Sequence, residues 1–396
     1  MKKYCSLLLL VFGFSFVCFS QTIDTIIAPL TNQSGFKYKK PEQLVDGIRT
    51  ATLKDVGVNE RNIKAMQDSI TGGLYANIHS ILILRDNKLV YEKYFPGNDV
   101  IRGKGSVGFV DHHRDSLHDI RSVNKSVVSA AVMIAIGQGK IKSTDQRVLS
   151  FFPEYAKYDT GMKREITIQH LLNMSAGLEW NEEISYADTT NSESRMNRSP
   201  NAIDFILSRK MADTPGIKFN YSGGCTQLLA AIVEKVAGME IDSFTEQFLF
   251  KPLGINRYTW VKITDGKPSA PSGLRLRSRD MAKFGLLYLN NGKWNDKQII
   301  PSQLVAQTLK KQISTPYKDS TYHMEYSNQF WMSAEIRKGK EVSWVQCQGN
   351  GGQMVIIDKR LDLVVVITAG TYNQGNLRKS SWDIYMDFIY PAVVYK

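Results

Sequence analysis

The chain has 396 residues, of which 43% are hydrophobic, and its formal net charge at pH 7 is +12. A chain of this length can bury a large core, in one body or in two lobes that share an interface. The basic residues are scattered along the sequence, so the positive charge does not predict a nucleic-acid partner. Weak attraction to an anionic envelope surface is the milder interpretation of the charge.

The first residues have the three-part pattern of a secretory signal peptide. Lys2 and Lys3 supply the positive charge, an apolar stretch runs from about Leu7 to Phe19, and the small Ser20 follows. The stretch is shorter than the roughly 20 apolar residues of a spanning helix. We therefore expect residues 1–20 to be cleaved and the protein to be exported, periplasmic or secreted, with no stable membrane span.

Two of the four cysteines, Cys5 and Cys18, belong to this signal. A lipoprotein attached through Cys18 is one alternative, which two bulky preceding residues disfavour, and a retained membrane anchor is another. The remaining Cys225 and Cys347 are too few for a disulfide framework. We expect them to be two buried thiols, with a bridge between them as the open alternative.

Residues 21–58 are polar and irregular and predict an N-terminal arm, followed by one domain over 59–396. Glycine, proline and polar turn residues separate the apolar segments of this domain, and their positions predict helices and hairpins at both of its ends. The expected elements are a helix over 59–70, a hairpin of strands 81–84 and 89–95 that ends at Pro96-Gly97, a second hairpin of strands 353–357 and 363–368, and a last helix over 380–389 that Pro391 stops.

The middle of the chain is mostly helical in pattern. The predicted helices are 122–138, 168–173, 201–209, 226–236 and 241–250. Strands at both chain ends with helices between them favour an α+β fold, in which one antiparallel sheet is built from the two termini. A mostly helical lobe, about residues 122–270, is inserted into it.

The first chemical motif is Ser122-Val123-Asn124-Lys125. The three-residue spacing places the hydroxyl and the ammonium on one helix face. The following helix is apolar almost all round and should be buried on every side. Burial would lower the pKa of Lys125 and suit it to act as the base for Ser122. A second copy of the pattern, Ser34–Lys37, has no helix behind it and is not favoured.

Two glycine-rich motifs follow along the chain. Tyr221-Ser222-Gly223-Gly224 comes just before a predicted helix, where a tyrosine can project its phenol into a cleft. Cys347–Gly352 leads into a predicted strand, and glycines at a strand edge let a substrate approach the backbone closely. Each motif alone also fits an ordinary turn or a β-bulge.

Together these motifs resemble the serine β-lactamase-related hydrolases, the branch of class C β-lactamases, esterases and 6-aminohexanoate-dimer hydrolases. The resemblance rests on the order of three motifs and covers roughly residues 45–390. The stretches that carry it are Ser122-x-x-Lys125, Tyr221-Ser222-Gly223 and Gln348-Gly349-Asn350-Gly351-Gly352-Gln353, with supporting similarity at 118–121, 170–178 and 273–282.

The resemblance implies a β-lactamase/transpeptidase-like fold and a role for each matching residue. Ser122 would attack a carbonyl and form an acyl-enzyme, Lys125 would take its proton, and Tyr221 would relay a proton to the leaving group. The backbone N–H groups of Ser122 and Asn350 would form the oxyanion hole. The reaction would need neither a metal ion nor an organic cofactor.

Two departures from the family pattern bear on the substrate. The tyrosine motif ends in Gly223, where the β-lactamases have an asparagine. In the third motif the β-lactamases have a lysine that binds the substrate carboxylate, whereas Cys347, Gln348 and Gly349 supply no cation. Both losses argue against recognition of β-lactams or D-Ala-D-Ala peptides. We expect a small ester or amide substrate in contact with these positions, with Trp180 either forming an aromatic wall or only packing the helical lobe.

Other classes of site find little support. The six histidines show no metal-ligand spacing; His112-His113 is expected to be solvated, and His118 to have a packing role. No Gly-x-Ser-x-Gly motif predicts an α/β-hydrolase. The alternatives that stay open are a D-Ala-D-Ala carboxypeptidase or weak β-lactamase on the same residues, and a penicillin-binding sensor or a non-catalytic binding module.

Overall fold

The computed structural model describes residues 36–394 except 375, 376 and 378. The predicted signal peptide, residues 1–20, and the first part of the predicted arm lie outside the described residues. From Phe36 onward the chain forms one compact unit.

The strands at the centre of the main sheet carry alternating or fully apolar sequences, as strands with one or two covered faces do. The strands of the described chain are β1 Arg49–Thr50, β2 Ile78–Arg85, β3 Lys88–Tyr94, β4 Gly97–Ile101, β5 Gly105–Val110, β6 His118–Asp119, β7 Thr259–Trp260, β8 Leu274–Leu276, β9 Lys293–Trp294, β10 Lys297–Gln298, β11 Ile313–Lys318, β12 Tyr322–Ser327, β13 Phe330–Arg337, β14 Lys340–Gly349, β15 Gln353–Asp358 and β16 Leu363–Ala369.

The main sheet of the described chain has the strand order β1-β3-β2-β16-β15-β14-β13-β12-β11. All of its neighbours are antiparallel except β1 and β3, which are parallel, so the sheet is mixed. Strand β2 from the N-terminal half pairs with β16 from the C-terminal end, with Leu82 opposite Val366. The sheet is therefore built from both ends of the chain, as the sequence predicts.

The seven regions predicted to be helical do contain helices, with small shifts at their ends, whereas the helices Ser192–Arg198, Ser278–Leu289 and Ser302–Thr308 were not predicted. The helices of the described chain are α1 Glu60–Thr71, α2 Val123–Gly137, α3 Ile168–Leu172, α4 Ser192–Arg198, α5 Ala202–Leu207, α6 Gly223–Ala237, α7 Ile241–Thr245, α8 Ser278–Leu289, α9 Ser302–Thr308, α10 Ser381–Ile384 and α11 Tyr390–Val394. A π-helical turn continues α7 over Glu246–Phe250.

Two apolar clusters cover opposite faces of the sheet. Leu82 and Leu84 face the cluster that holds α2, α6 and α8, whereas Ile81 and Ile83 face the one that holds α1 and the C-terminal helices. The alternation follows from the two-residue repeat of a β-strand. Helix α2 therefore lies between the sheet and the helical lobe, and its residues Val123–Ala135 are all buried.

Three sequence expectations were wrong in detail. Residues 36–58 are not an irregular arm, because β1 pairs with β3 and Leu53 and Val56 are buried in the core. Pro391 does not stop the last helix, since the helical run that begins at Ser381 continues through a π-helical stretch, Tyr385–Ile389, and past Pro391 to Val394. The four strands β11–β14 were missed, as was the hairpin of β4 and β5.

Among the described residues, no helix combines the length and the apolar character needed to cross a bilayer.

Candidate active site

Ser122 stands at the N-terminus of α2, next to the end of β14. The residue before it, Arg121, has a φ of +49°, in the left-handed region that residues other than glycine rarely adopt. Such strained conformations are concentrated at functional sites. The local backbone turns sharply here, between β6 and α2, and brings the serine hydroxyl to the cleft.

Lys125 lies one helical turn further on and is fully buried. Its Nζ donates to Ser122 Oγ at 3.2 Å and to the Pro271 carbonyl at 3.4 Å. Asn124 holds the segment that carries this carbonyl, because its amide donates to the Ser269 and Ala270 carbonyls. The spacing of the motif thus produces the predicted contact between the amine and the alcohol.

Two buried carboxylates, which the sequence analysis missed, complete the surroundings of Lys125. Glu182 Oε1 and Glu193 Oε2 lie 3.5 Å and 3.7 Å from Nζ. Glu182 accepts hydrogen bonds from the Trp180 indole at 2.8 Å and the Gly223 N–H at 2.6 Å. Both carboxylates are buried, so their charges act strongly on the ammonium.

These carboxylates overturn the prediction for the lysine pKa. Burial opposes the charge on the ammonium, but the neighbouring phenol and the two carboxylates outweigh it, so the pKa of Lys125 is raised. The ammonium is therefore the stable form of this side chain. Lys125 can take a proton from Ser122 only when one of its own protons moves to a neighbour.

The two carboxylates differ in their proton affinity. Burial, reinforced by the charge of Glu193, raises the pKa of Glu182. Burial also opposes the charge of Glu193, but Lys125 and Arg102 outweigh it and lower the pKa of Glu193. Glu182 is therefore the member of the pair that can gain and lose a proton most readily.

Tyr221 lies on the other side of the lysine. Lys125 Nζ is 4.7 Å from the centre of the phenol ring. Its ring stacks on Trp331 with centroids 5.7 Å apart. Burial raises the pKa of Tyr221, so the phenol keeps its proton. The three residues of the predicted catalytic set are thus in one place.

Gly223 and Gly224 are required by what packs against the start of α6. A Cβ on Gly223 would lie 2.6 Å from Glu193 Oε2 and 3.1 Å from Glu182 Oε2. A Cβ on Gly224 would lie 2.8 Å from the Trp180 ring. The carboxylates occupy the space that the family's asparagine side chain would need at position 223.

Trp180 does not form an aromatic wall of the cleft, contrary to one of the two interpretations from the sequence. Its side chain is buried under Gly224 and donates to Glu182, so it packs the lobe and orients a carboxylate. Gly223 likewise faces the carboxylates rather than the cleft. Gln348 and Gly349 do line the cleft, as predicted.

The end of β14 approaches the nucleophile closely. A Cβ on Gly349 would lie 2.4 Å from the Ile120 carbonyl and 3.0 Å from the Ser122 nitrogen. The side chain of Asn350 is fixed by Asn373, which exchanges two hydrogen bonds with it. In the described part of the chain, neither the Ser122 nor the Asn350 backbone N–H donates to a protein group, so both are available to an oxyanion.

The cleft opens on both sides of Ser122. The larger side, about 640 Å³, is lined by five aromatic side chains and by the carboxylates of Glu182 and Glu183, with no lysine or arginine among its described lining residues. The smaller side, about 260 Å³, contains Arg102 and Arg121. Both of these arginines are paired with carboxylates of the protein. The walls of the larger side are formed by Tyr186, Tyr221, Tyr317, Tyr322, Met324 and Trp331.

The predictions for the cysteines were confirmed, whereas those for the histidines were confirmed only in part. Cys225 and Cys347 are free and buried, as expected, and burial raises the pKa of both thiols to about 12. His113 is exposed, but His112 is not solvated as predicted; it is 6% exposed and stacks on His79.

Comparisons with known proteins agree with this architecture. The Beta-lactamase family model matches residues 60–381. The 6-aminohexanoate-dimer hydrolase of Paenarthrobacter ureafaciens is 24% identical over 289 residues, which are 68% of this chain and 69% of that protein. Other curated relatives are matched over 35% to 62% of their length.

Solved structures share the fold. The octameric penicillin-binding protein homologue from Pyrococcus abyssi superposes with a TM-score of 0.63 at 18% identity, covering 85% of this chain and 77% of that one. EstCE1, a hydrolase with promiscuous acyltransferase activity, gives a TM-score of 0.64 at 16% identity, covering 84% of this chain and 98% of that one.

Proposed function

The chain belongs to the β-lactamase family, whose members are serine hydrolases, and on that basis we propose that it cleaves an ester or amide bond of a small substrate. The observation that carries the proposal is the contact of Lys125 Nζ with Ser122 Oγ at 3.2 Å, with the Tyr221 ring 4.7 Å from the same Nζ. A nucleophile within hydrogen-bond reach of a proton acceptor is the arrangement that acyl-enzyme chemistry requires.

The proton path runs through Lys125 to the carboxylates. Ser122 Oγ attacks the substrate carbonyl and gives its proton to Lys125, while Lys125 passes one of its own protons to Glu182. The tetrahedral oxyanion accepts hydrogen bonds from the Ser122 and Asn350 N–H groups. Tyr221 protonates the leaving group as the carbon–heteroatom bond breaks, and it regains a proton from Lys125, which recovers one from Glu182. Water then gives a proton along the same path as it attacks the acyl-enzyme, and Ser122 regains its proton when the acyl group leaves.

The substrate class follows from the walls of the cleft. Five aromatic rings line the larger side together with Glu182 and Glu183, and an unpaired cation for a substrate carboxylate is absent from the described lining residues of either side. These features argue against an anionic substrate and favour an apolar acyl or leaving group. The names of two relatives, a 6-aminohexanoate-dimer hydrolase and a carboxylesterase, agree with amide or ester cleavage.

Labelling with a fluorophosphonate tests the nucleophile. We expect the full chain to gain one adduct, and Ser122→Ala to gain none and to lose at least about 10⁴-fold in turnover of nitrophenyl esters. Ser129→Ala, which changes a buried serine of the same helix, should keep its adduct. Labelling that persists in Ser122→Ala would contradict the proposal.

The substrate preference needs a separate comparison. Nitrophenyl esters, a chromogenic cephalosporin and a D-Ala-D-Ala peptide would be offered to the same preparation. We expect turnover of the esters and little of the other two. Fast turnover of the cephalosporin or the peptide would make the protein a β-lactamase or a carboxypeptidase on the same nucleophile, and a permanent penicilloyl adduct would make it a sensor.

A further inference from the structure

Four buried side chains meet outside the proposed catalytic set and form what we call the histidine–aspartate cluster. They are His79 on β2, Asp99 on β4, His112 after β5 and His118 on β6, and none is more than 6% exposed. Ligand atoms of His79, Asp99 and His112 all lie within 4.8 Å of one another. Three imidazoles and a carboxylate from four separate segments are an unusual set to bury together.

The hydrogen bonds around the cluster fix which nitrogens carry protons. His118 Nδ1 lies 3.1 Å from the Asp119 carbonyl, to which it can only donate. The Asn77 amide nitrogen donates to the Asn98 carbonyl at 2.7 Å, so its oxygen faces His79 Nε2 at 3.2 Å. His79 must therefore donate from Nε2, and His118 from Nδ1.

The remaining two nitrogens then face each other with lone pairs. His79 Nδ1 and His118 Nε2 are 2.8 Å apart, and Asp99 Oδ1 is 3.9 Å from the latter. His112 Nε2 is buried and has no hydrogen-bond partner among the described residues. Two lone pairs at this distance repel unless a cation lies between them, and that cation is either an extra proton or a metal ion.

An extra proton fits this place poorly. A proton between the two facing nitrogens would leave the buried His112 Nε2 without a partner in the described chain, whereas a metal ion can also take His112 and Asp99 as ligands, because ligand atoms of His79, Asp99 and His112 lie within 4.8 Å of one another.

We propose that the histidine–aspartate cluster binds one divalent transition-metal ion, with Zn²⁺ as the cation that best suits three neutral imidazoles and one carboxylate. A closed four-coordinate set of protein ligands is typical of structural zinc. The Asp119 carbonyl and the Asn77 amide orient the outer nitrogens, as outer groups do in zinc proteins. Tyr372 donates to Asp99 at 3.3 Å and adds a third such contact.

Coordination requires two local adjustments. Ligand bonds of 2.0–2.1 Å at tetrahedral angles separate two nitrogens by about 3.3 Å, so His79 Nδ1 and His118 Nε2 must move apart slightly. The His112 ring, stacked on His79 with centroids 3.9 Å apart, must turn so that Nε2 faces the ion. Nothing bonds Nε2 of His112 within the described chain to oppose that turn.

The ion would be a structural clamp rather than part of the chemistry. It joins β2, the β4–β5 hairpin and β6, and β6 ends three residues before Ser122. Tyr372, bonded to Asp99, also stacks on the Arg121 guanidinium at 4.6 Å and lines the cleft. The clamp would therefore hold one wall of the cleft beside the nucleophile.

Metal binding to the full chain, purified without a histidine tag, tests the proposal. After loading with Zn²⁺ and dialysis, we expect about one ion per chain by mass spectrometry. Replacement with Co²⁺ should give the visible absorption of a tetrahedral site. His112→Asn should weaken Zn²⁺ binding at least about tenfold, while the neighbouring exposed His113→Asn should bind as the unchanged chain does.

Two outcomes would overturn the proposal. One is a folded, unchanged chain that keeps no Zn²⁺ and shows no Co²⁺ absorption, which would mean that the cluster holds a proton instead. The other is His112→Asn binding as tightly as His113→Asn, which would place the ion elsewhere. Should His112→Asn fail to fold, the Co²⁺ spectrum of the unchanged chain still decides, because it reports nitrogen ligands and geometry directly.

Discussion

Glu182 is the residue whose replacement tests the proton path most directly. Glu182→Gln keeps the size of the side chain but removes the charge that faces Lys125 Nζ at 3.5 Å. Lys125 then keeps only Glu193 at 3.7 Å, whose lowered pKa makes it a poor proton acceptor. We expect kcat/KM for nitrophenyl esters to fall about 10²- to 10³-fold, as when a general base is lost.

Glu183→Gln is the matched control for that change. Glu183 is the next residue along the chain and also lines the cleft, but it hydrogen-bonds Tyr317 and not Lys125. We expect kcat/KM for nitrophenyl esters to fall less than about tenfold, because Glu183 takes no part in the proposed proton path. Equal losses in the two variants would contradict the assignment of Glu182 to the proton path.

The same carboxylate sets the pH dependence of the reaction. Glu182 must be ionised to receive the proton, and burial, then Glu193, raises its pKa above the ordinary value. Activity should therefore fall as the pH decreases through this raised pKa, earlier than for an exposed glutamate. A profile of kcat/KM against pH measures it, and Glu182→Gln should lack that acid limb.

At the residue scale, the sequence predicted which three side chains form the candidate catalytic set but not the carboxylates that determine the charge of Lys125. Ser122, Lys125 and Tyr221 could be identified because their motifs are local. Glu182 and Glu193 lie in a polar stretch without periodicity, and the fold alone brings them to the lysine. One signal was available, since two consecutive glycines at a helix start indicate that something packs closely there.

At the scale of elements, the contact between the end of β14 and the start of α2 governs the oxyanion hole. Gly349→Ala would place a Cβ 2.4 Å from the Ile120 carbonyl and 3.0 Å from the Ser122 nitrogen. One element must move, and the donor N–H moves with it. We expect kcat to fall about 10²- to 10³-fold, which is the cost of losing one oxyanion donor.

A second glycine separates loss of activity from loss of stability. Gly238 ends α6 with a φ of +67° and has no atoms within 4 Å of an added Cβ. Gly238→Ala should lower the free energy of unfolding by about 1 kcal/mol and leave kcat unchanged. Thermal melts and ester kinetics on both variants make the comparison; unchanged kcat in Gly349→Ala would remove this strand end from the oxyanion hole.

Buried strands were easier to predict from the sequence than exposed ones. Strands β2, β3, β15 and β16 are apolar enough to identify, because one or both faces are covered. Strand β5 is almost entirely exposed, and β11 has a single buried residue, so neither carries a clear alternation. Their pairing depends on neighbours distant in sequence, which one local pattern does not reveal.

At the scale of the whole molecule, Arg279 ties three distant segments together. On α8, its guanidinium binds both oxygens of Glu92 on β3, at 2.8 Å and 2.6 Å, and Asp46 at 2.9 Å. It also donates to the Glu42 carbonyl at 3.0 Å. Its side chain is 5% exposed, so this network is protected from solvent. The segment before β1 is thereby fixed to the domain that carries the site.

Arg279→Leu should therefore destabilise the protein as a whole. The change leaves Glu92 and Asp46, which are 10% and 19% exposed, without their guanidinium partner. Breaking a largely buried ion pair lowers the free energy of unfolding by about 3 kcal/mol. Arg147→Leu is the matched control, because Arg147 pairs with Asp159 where both side chains are 40% exposed or more. That pair should contribute less than about 1 kcal/mol to the free energy of unfolding. Urea unfolding measures both; similar losses would mean that the N-terminal segment is not fixed by this network.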